Sequence, residues 1–380
     1  MLATCFALAA ASGPRFSNVF RDHGVLQRGA PLSIWGFGAG GVSHLAVSLG
    51  TATVNATVNA TDGTWRAVLP AQPATPLGTG LDLTLQPGGP TLRDVAVGDV
   101  LLFSGQSNID LPQEYANQVY DPASAACDGG RTCSTINVTA QAADEAFADA
   151  HGAALRIMIV PSSVGGLHYN QTPAAELADV PECPLCAPAG IGPYRSCQCN
   201  SLRWARANAS NIRGFSATAW YTGKALLLAR ARASSRTHSD AGSSGTVTLG
   251  LLRSSWGGTP IQNWSGPAAL AKCPGGKPPA RGGAPSSARG GDGDGDSSSG
   301  STLFSSMILP FRGLHFAALY WCTSAVMRDA ACSPTPPNTF PSRSPPHLHC
   351  PARQTKVSPT SGRTTRTKAP RTTRASCRPC

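Results

Sequence analysis

Apolar and polar positions alternate with a period of two through much of residues 15–95, as expected for strands with one buried face. The clearest alternation lies at residues 32–35, 47–49 and 52–58. Glycine-containing turns separate these segments at residues 38–41, 62–63 and 87–89. Short strands at this spacing predict a small β-sandwich over residues 15–95.

After residue 95 the pattern changes to apolar runs that are followed by polar loops. These runs predict buried strands over residues 95–103, 154–160, 246–252 and 314–321. Residues 215–232 carry apolar positions at helical spacing, with Ser216 as a capping residue and Arg230 and Arg232 near the end. Alternating strands and helices predict an α/β domain with a parallel, doubly wound sheet over residues 96–321.

Two insertions interrupt this predicted domain, one cysteine-rich at about residues 123–200 and one rich in Gly, Pro and Ser at residues 273–301. The first predicts disulfides in an oxidising compartment among the following six cysteines: Cys127, Cys133, Cys183, Cys186, Cys197 and Cys199. Zinc at the last four is an open alternative, although Cys197-x-Cys199 is tighter than usual zinc spacing. The alternating Asp residues at 292–296 lack the final Glu of an EF-hand loop, so we predict no metal there.

The net charge of +11 is concentrated at the C-terminal end of the chain. Residues 322–380 hold ten Lys or Arg residues against one Asp, are rich in Pro, Ser and Thr, and predict a disordered basic tail. This tail lacks the interleaved aromatic residues of nucleic-acid-binding segments, so an arginine-rich nucleic-acid module is a weaker alternative and no nucleic acid is predicted as a partner. No apolar run approaches the roughly 18 residues of a membrane span.

The N-terminal segment and the glycosylation motifs indicate the secretory pathway. Residues 1–12 resemble the apolar part of a signal peptide, which we place at residues 1–14. Asn-x-Ser/Thr motifs occur at six positions: Asn55, Asn59, Asn137, Asn170, Asn208 and Asn263. A secreted or lysosomal glycoprotein is therefore expected.

Two motifs that follow predicted strands carry the candidate chemistry. Ser107 comes directly after the strand at residues 95–103, where open α/β sheets form their ligand crevice. Ile109 breaks the G-x-S-x-G pattern, which argues against the nucleophile elbow of the α/β-hydrolases. Gly257 and Gly258 follow another strand and offer backbone N–H groups without a side chain. Acyl transfer by serine needs a nucleophile and such donors, whereas a polar loop and a plain tight turn are the structural alternatives.

In this order, FSGQSN at residues 103–108 and SSWGGTPIQNWS at residues 254–265 resemble the sialate O-acetylesterase family of SGNH-type serine esterases. Segments before and after them agree with the family pattern: residues 16–18, 25–28, 35–38, 98–100, 305–310 and 319–321. The resemblance covers residues 15–321. It implies an N-terminal β-sandwich followed by a flavodoxin-like parallel-sheet esterase domain.

The resemblance also assigns roles to individual residues. Ser107 would attack the O-acetyl carbonyl of a sugar or sialic acid, and its own N–H, with that of Gly257 or Gly258, would stabilise the oxyanion. Gln106 and Asn108 would hold the nucleophile turn and line the pocket. No cofactor or metal is implied.

The sequence departs from the family where the catalytic base is expected. The family continues after Tyr-Trp with Gln-Gly-Glu and later supplies an Asp-x-x-His base, whereas Trp321 is followed by Cys322 and no Asp-x-x-His occurs. His315, inside the strand predicted at residues 314–321, is interpreted as a core or face histidine. We therefore predict a truncated catalytic domain with weak or no activity. A shifted or intron-derived reading of the gene from Cys322 is one explanation, and a non-catalytic secreted glycan-binding protein is the functional alternative.

Overall fold

A computed structural model of the chain describes residues 13–120, 134–163, 179–180, 199–236, 247–259, 261–272 and 303–322. The predicted apolar leader at residues 1–12, residues 121–133, 164–178 and 181–198 in and around the cysteine-rich insertion, the insertion at residues 273–301 and the tail from residue 323 lie outside the described residues. So do the predicted disulfides and the alternative zinc site, apart from the backbone of Cys199.

Fifteen strands and five helices are found in the described residues. The strands are β1 (Arg15–Phe16), β2 (Val25–Gln27), β3 (Leu32–Phe37), β4 (Ala46–Leu49), β5 (Ala52–Asn55), β6 (Thr57–Val58), β7 (Trp65–Leu69), β8 (Leu81–Gln86), β9 (Thr91–Gly105), β10 (Gln118–Tyr120), β11 (Ser134–Ile136), β12 (Leu155–Ser163), β13 (Cys199–Arg206), β14 (Leu249–Ser255) and β15 (Ala318–Cys322). The helices are α1 (Ser107–Asp110), α2 (Gln113–Ala116), α3 (Val138–His151), α4 (Ala217–Arg236) and α5 (Pro267–Leu270).

The N-terminal residues form short antiparallel strands, and the three segments predicted from alternation are strands β3, β4 and β5–β6. Strands β1, β3, β7 and β6 make one four-stranded sheet, while β4, β5 and β8 join a larger sheet. Both groups bury side chains in one hydrophobic cluster, in which Trp35 and Trp65 are almost fully buried. The alternation of apolar and polar residues in the sequence therefore marks strands that each turn one face toward a common core.

Strand β9 pairs with its neighbours in both the antiparallel and the parallel direction. Its first half pairs with β8 in antiparallel fashion, and its second half lies parallel to β14 on one side and β15 on the other. The resulting nine-stranded sheet runs β13-β12-β14-β9-β8-β4-β5, with β15 and β2 also paired to β9. The predicted α/β class is confirmed, but the sheet is mixed rather than parallel, because β13 pairs with β12 and β8 pairs with β9 in antiparallel fashion. The predicted division at residue 95 falls inside the single strand β9.

The two faces of β9 are buried against different elements, which explains its nearly continuous apolar sequence. Leu101 and Phe103 share a cluster with residues of α4, including Trp220. Val100 and Leu102 belong to the other cluster, together with Met307 from the segment before β15. The buried parallel strand predicted at residues 95–103 is therefore confirmed.

Helix α4 begins as predicted and ends later. Ser216 precedes it, and its Oγ accepts the N–H of Ala219 at 3.2 Å, which confirms the predicted cap. The helix continues to Arg236, so Arg230 lies within it and pairs with Asp99 on β9 at 2.7 Å. No helix in the described ranges is long and apolar enough to cross a membrane.

Two predicted strands have different limits. Strand β14 extends through three buried polar residues to Ser255, which a hydrophobicity pattern cannot detect. Strand β15 starts only at Ala318, because Leu314 closes a turn onto Phe311 and pairing with β9 begins at Ala317 N–H, 2.8 Å from Val100 O. The interpretation of His315 as a core or face residue of a strand is therefore wrong, since it is an exposed residue before β15.

Candidate active site

Ser107 lies at the carboxyl end of the central strand. Strand β9 ends at Gly105, Gln106 occupies the N-terminal position just before the short helix α1, and Ser107 is the first residue of that helix. The Ser107 side chain is exposed, whereas Ser104 is fully buried inside the strand. The parallel sheet therefore presents one of these two serines to solvent at its carboxyl edge.

Gly105 shapes the turn that precedes Ser107. Its φ is +124°, and a Cβ atom there would lie 2.1 Å from the carbonyl oxygen of Cys322. The Gln106 N–H donates to the same oxygen at 2.9 Å. Only glycine allows β15 to come this close to the turn, so this residue fixes where the chain leaves the sheet.

The Gly-Gly motif lies beside Ser107, as the positions of the strands predict. Strand β14 is parallel to β9 with Ser255 opposite Gly105, and the turn at residues 256–259 follows at once. A Cβ atom on Gly257 would lie only 3.6 Å from the Cβ of Ser107. Gly258 has a φ of +74° and open space where a side chain would be. The structure thus places the two motifs side by side at one edge of the sheet.

Gln106 and Asn108 make contacts on either side of the serine. The Gln106 side-chain amide donates to the Thr259 carbonyl oxygen and so connects the serine turn to the glycine turn. Asn108 is exposed, its carbonyl accepts the Thr218 hydroxyl at 2.9 Å, and its amide lies 3.6 Å from the Cys322 sulfur. Gln106 is therefore placed to hold the turn, and Asn108 to face solvent beside Ser107.

Sequence reasoning missed an ion pair beneath the two turns. Asp110, three residues after Ser107, pairs with the Arg253 guanidinium and accepts the Gly257 N–H at 3.1 Å. Its other oxygen lies 3.2 Å from the Ser255 hydroxyl. Burial lowers the pKa of Arg253 to about 10, so this group remains protonated at neutral pH. An Arg directly after the apolar run of a buried strand was the signal in the sequence that a carboxylate partner exists.

A second polar network supports the chain that follows α1. Gln113, fully buried, donates to Asp144 at 2.8 Å, and Asp144 also accepts from Tyr221 at 2.6 Å and Lys224 at 2.7 Å. Burial by itself would raise the pKa of Asp144, but the hydrogen bonds from Lys224, Tyr221 and Asn117 outweigh it and lower this pKa. The network anchors α2 to α3 and α4 behind the site.

Aromatic side chains flank the site at the end of β15. Trp321 packs edge-on against Trp264 at 5.3 Å between ring centroids and remains 40% exposed. Trp264 in turn donates to the Thr259 hydroxyl at 2.9 Å. The glycine turn is therefore supported on one side by an aromatic pair.

None of the four histidines in the described ranges hydrogen-bonds to Ser107. His23 is bound to Asp94 at 2.7 Å and His151 to the Phe147 carbonyl at 2.9 Å. His44 is exposed in the N-terminal part, and His315 lies at the opposite end of β15 from Cys322. The described part of the chain thus provides a serine and backbone N–H groups without an imidazole base.

Comparison with known proteins gives a consistent set of relatives. No family model matches the chain. A curated rat protein named sialate O-acetylesterase is 27% identical over 271 residues, which cover 69% of this chain and 39% of the relative. The human protein of the same name is 27% identical over 278 residues, covering 70% of this chain and 41% of the relative. The chain therefore spans about two fifths of the length of these curated relatives.

A solved structure is similar over much of the chain. It is a carbohydrate acetylesterase from Xanthomonas citri, 25% identical, with a TM-score of 0.50, and the match covers 82% of this chain and 52% of that one. The mixed α/β architecture with its large sheet is therefore shared with a solved hydrolase.

Proposed function

We propose that the chain, as a member of the sialate O-acetylesterase family, hydrolyses O-acetyl esters of sugars with Ser107 as the nucleophile. The observation that supports this proposal is the proximity of the exposed Ser107 to Gly257, where an added Cβ atom would lie 3.6 Å from the Cβ of Ser107, at the carboxyl edge of the sheet. Serine esterases need this combination of an accessible hydroxyl and nearby backbone donors.

In the proposed reaction, Ser107 Oγ attacks the acetyl carbon and the sugar hydroxyl leaves with the serine proton. Water then hydrolyses the acetyl-serine, which releases acetate and restores the hydroxyl. The Gly257 N–H already donates to Asp110, so we assign the oxyanion to the N–H groups of Ser107 and Gly258. Gln106 keeps the two turns together during these steps.

The substrate we propose is an O-acetylated sialic acid or a related sugar, as the names of the relatives indicate. The flavodoxin-like description of the sheet domain and the β-sandwich description of residues 15–95 belong to the same proposal. Because the described residues give Ser107 no histidine base, we expect slow turnover, since loss of a triad member costs several orders of magnitude in rate.

The test measures acetate release from an O-acetylated sialic acid and hydrolysis of 4-nitrophenyl acetate. Ser107→Ala is expected to lower both by about 1,000-fold or to background. Ser48→Ala, in β4 far along the sheet from the site, is the matched control and is expected to retain wild-type rates. Unchanged hydrolysis in Ser107→Ala would remove the serine from the mechanism.

The lack of a histidine hydrogen-bonded to Ser107 among the described residues favours one second function, that of a protein that binds a glycan without hydrolysing it. Calorimetry with the same O-acetylated sialic acid separates the two. Binding without hydrolysis, at equal affinity in the wild type and in Ser107→Ala, would support the binding function and reject the esterase.

We also propose that the chain follows the secretory route. The described glycosylation-motif residues Asn55, Asn59, Asn137 and Asn208 are exposed, whereas Asn263 is 6% exposed. Peptide mass spectrometry of protein secreted from eukaryotic cells is expected to find glycans among the four exposed positions and none at Asn263. A glycan at Asn263 would contradict the placement of this residue.

A further inference from the structure

Asp110 uses both carboxylate oxygens to connect the two turns of the candidate site. It lies three residues after Ser107, so both belong to the same single turn of helix. Oδ2 accepts the N–H of Gly257 at 3.1 Å, and Oδ1 lies 3.2 Å from the Ser255 hydroxyl. The carboxylate therefore joins the chain that carries the nucleophile to the chain that carries the glycine turn.

Arg253 explains why this carboxylate stays in place. Its side chain is 2% exposed in β14 and pairs with Asp110 Oδ1, while its Nε donates to the Ser255 hydroxyl at 2.9 Å. A buried guanidinium requires a carboxylate partner, because an isolated buried charge is strongly unfavourable. The ion pair with Arg253 thus fixes the position of Asp110, and the hydrogen bond from Gly257 to Asp110 fixes the position of the glycine turn.

We infer that Asp110 and Arg253 are positioning residues, which fix the distance between the Ser107 hydroxyl and the backbone donors of the glycine turn. This inference rests on the proposed esterase function and extends it. The bond from Gly257 to Asp110 would orient the turn so that the next N–H, that of Gly258, donates to the acyl oxygen. We assign both residues an action through the glycine turn and no direct part in the chemical step.

The decisive variant is Asp110→Asn, which preserves size and removes the charge. An amide has one oxygen, and facing it toward Arg253 turns the amide NH₂ group toward the Gly257 N–H, so a donor meets a donor. The glycine turn is expected to lose its hydrogen bond and move. Displacements of about 1 Å at an active site can reduce rates by about 100-fold.

Two readouts separate positioning from a general loss of stability. In Asp110→Asn we expect kcat for 4-nitrophenyl acetate to fall by about 100-fold with KM within about threefold, because the affected step is chemistry. Amide hydrogen exchange at Gly257, followed by NMR, should accelerate by about tenfold, the loss of one ordinary hydrogen bond. Glu114→Gln, which removes a carboxylate from α2, is the control and should change neither.

A second variant is needed because Asp110→Asn leaves Arg253 without its charged partner and could therefore misfold. Asp110→Asn/Arg253→Gln removes both charges, and its second amide can pair with the first. It should fold and recover part of kcat relative to Asp110→Asn.

Unchanged Gly257 exchange in Asp110→Asn, or faster exchange with an unchanged kcat, would overturn the inference. If the wild type hydrolyses no acetyl ester, the proposed function fails by itself. The exchange measurement then still decides whether Asp110 holds the glycine turn.

Discussion

Replacing Asp94 by Asn removes a carboxylate that connects β9 and the N-terminal residue His23 to strands β12 and β13 of the large sheet. Asp94 lies in β9, with Arg156 of β12 on Oδ1 at 3.0 Å and Arg206 of β13 on Oδ2 at 3.0 Å. His23 binds Oδ2 at 2.7 Å. Asp94 has a φ of +56°, which Asn tolerates nearly as well as Asp, so the variant isolates the charge.

The expected cost follows from the burial of Arg156, whose side chain is 0% exposed. Removing one partner of a buried ion pair typically costs about 3–5 kcal/mol, because the other charge remains buried. Arg156 keeps its hydrogen bonds to the carbonyl oxygens of Gly24 and residue 94. The loss should therefore lie at the lower end of this range, at about 3 kcal/mol in the free energy of unfolding.

The matched control is Asp82→Asn, in the neighbouring strand β8. Asp82 pairs with Arg93 at the same 3.0 Å, but the two side chains are 52% and 74% exposed. Exposed pairs contribute about 0.5 kcal/mol. Urea unfolding followed by tryptophan fluorescence measures both variants. Equal losses in the two variants would refute the reasoning from burial.

The pH dependence of the free energy of unfolding tests independently how much the Asp94 charge stabilises the protein. Burial would raise the pKa of Asp94, but the hydrogen bond from His23 and the charges of Arg156 and Arg206 hold this pKa below its usual range. A carboxylate with a lowered folded-state pKa stabilises the protein above its unfolded-state pKa of about 3.9. The difference between wild type and Asp94→Asn should be full at pH 5–7 and shrink as the pH falls below about 4. A difference that is constant down to pH 3 would contradict the assignment.

Two further substitutions test local geometry. Gly105→Ala should lower the free energy of unfolding by about 3 kcal/mol and reduce any esterase rate, because the new Cβ meets the Cys322 carbonyl. The control Gly29→Ala has a φ of +70° and open space around the new Cβ, so it should cost only about 1 kcal/mol in the same urea titration. Equal costs would mean that the contact with β15 contributes nothing. Tyr221→Phe should cost about 1–2 kcal/mol because Asp144 loses its 2.6 Å bond, and an unchanged unfolding midpoint would show that this bond is not formed.

The meeting of Ser107 with Gly257 could be predicted because both follow parallel strands, whose carboxyl ends lie at one edge of a sheet. The start of α4 was predictable for a similarly local reason, since Ser216 precedes an amphipathic segment. These features depend on short-range patterns and on the regular geometry of sheets and helices.

The Asp110–Arg253 pair could not be predicted, because 143 positions separate two residues whose contact depends on the register of β14 beside β9. The late start of β15 was missed for a different reason. Leu314 and Phe316 are apolar because they pack on the core as loop residues, so hydrophobicity alone mistakes them for strand residues.

Covalent trapping of the nucleophile tests the central claim most directly. A fluorophosphonate reacts with activated serines, and peptide mass spectrometry locates the adduct even where turnover is slow. We predict an adduct on Ser107 that is absent in Ser107→Ala and slower to form in Asp110→Asn. Hydrolysis of acetyl esters by a chain that carries its adduct on another serine, with Ser107 unmodified, would contradict the account.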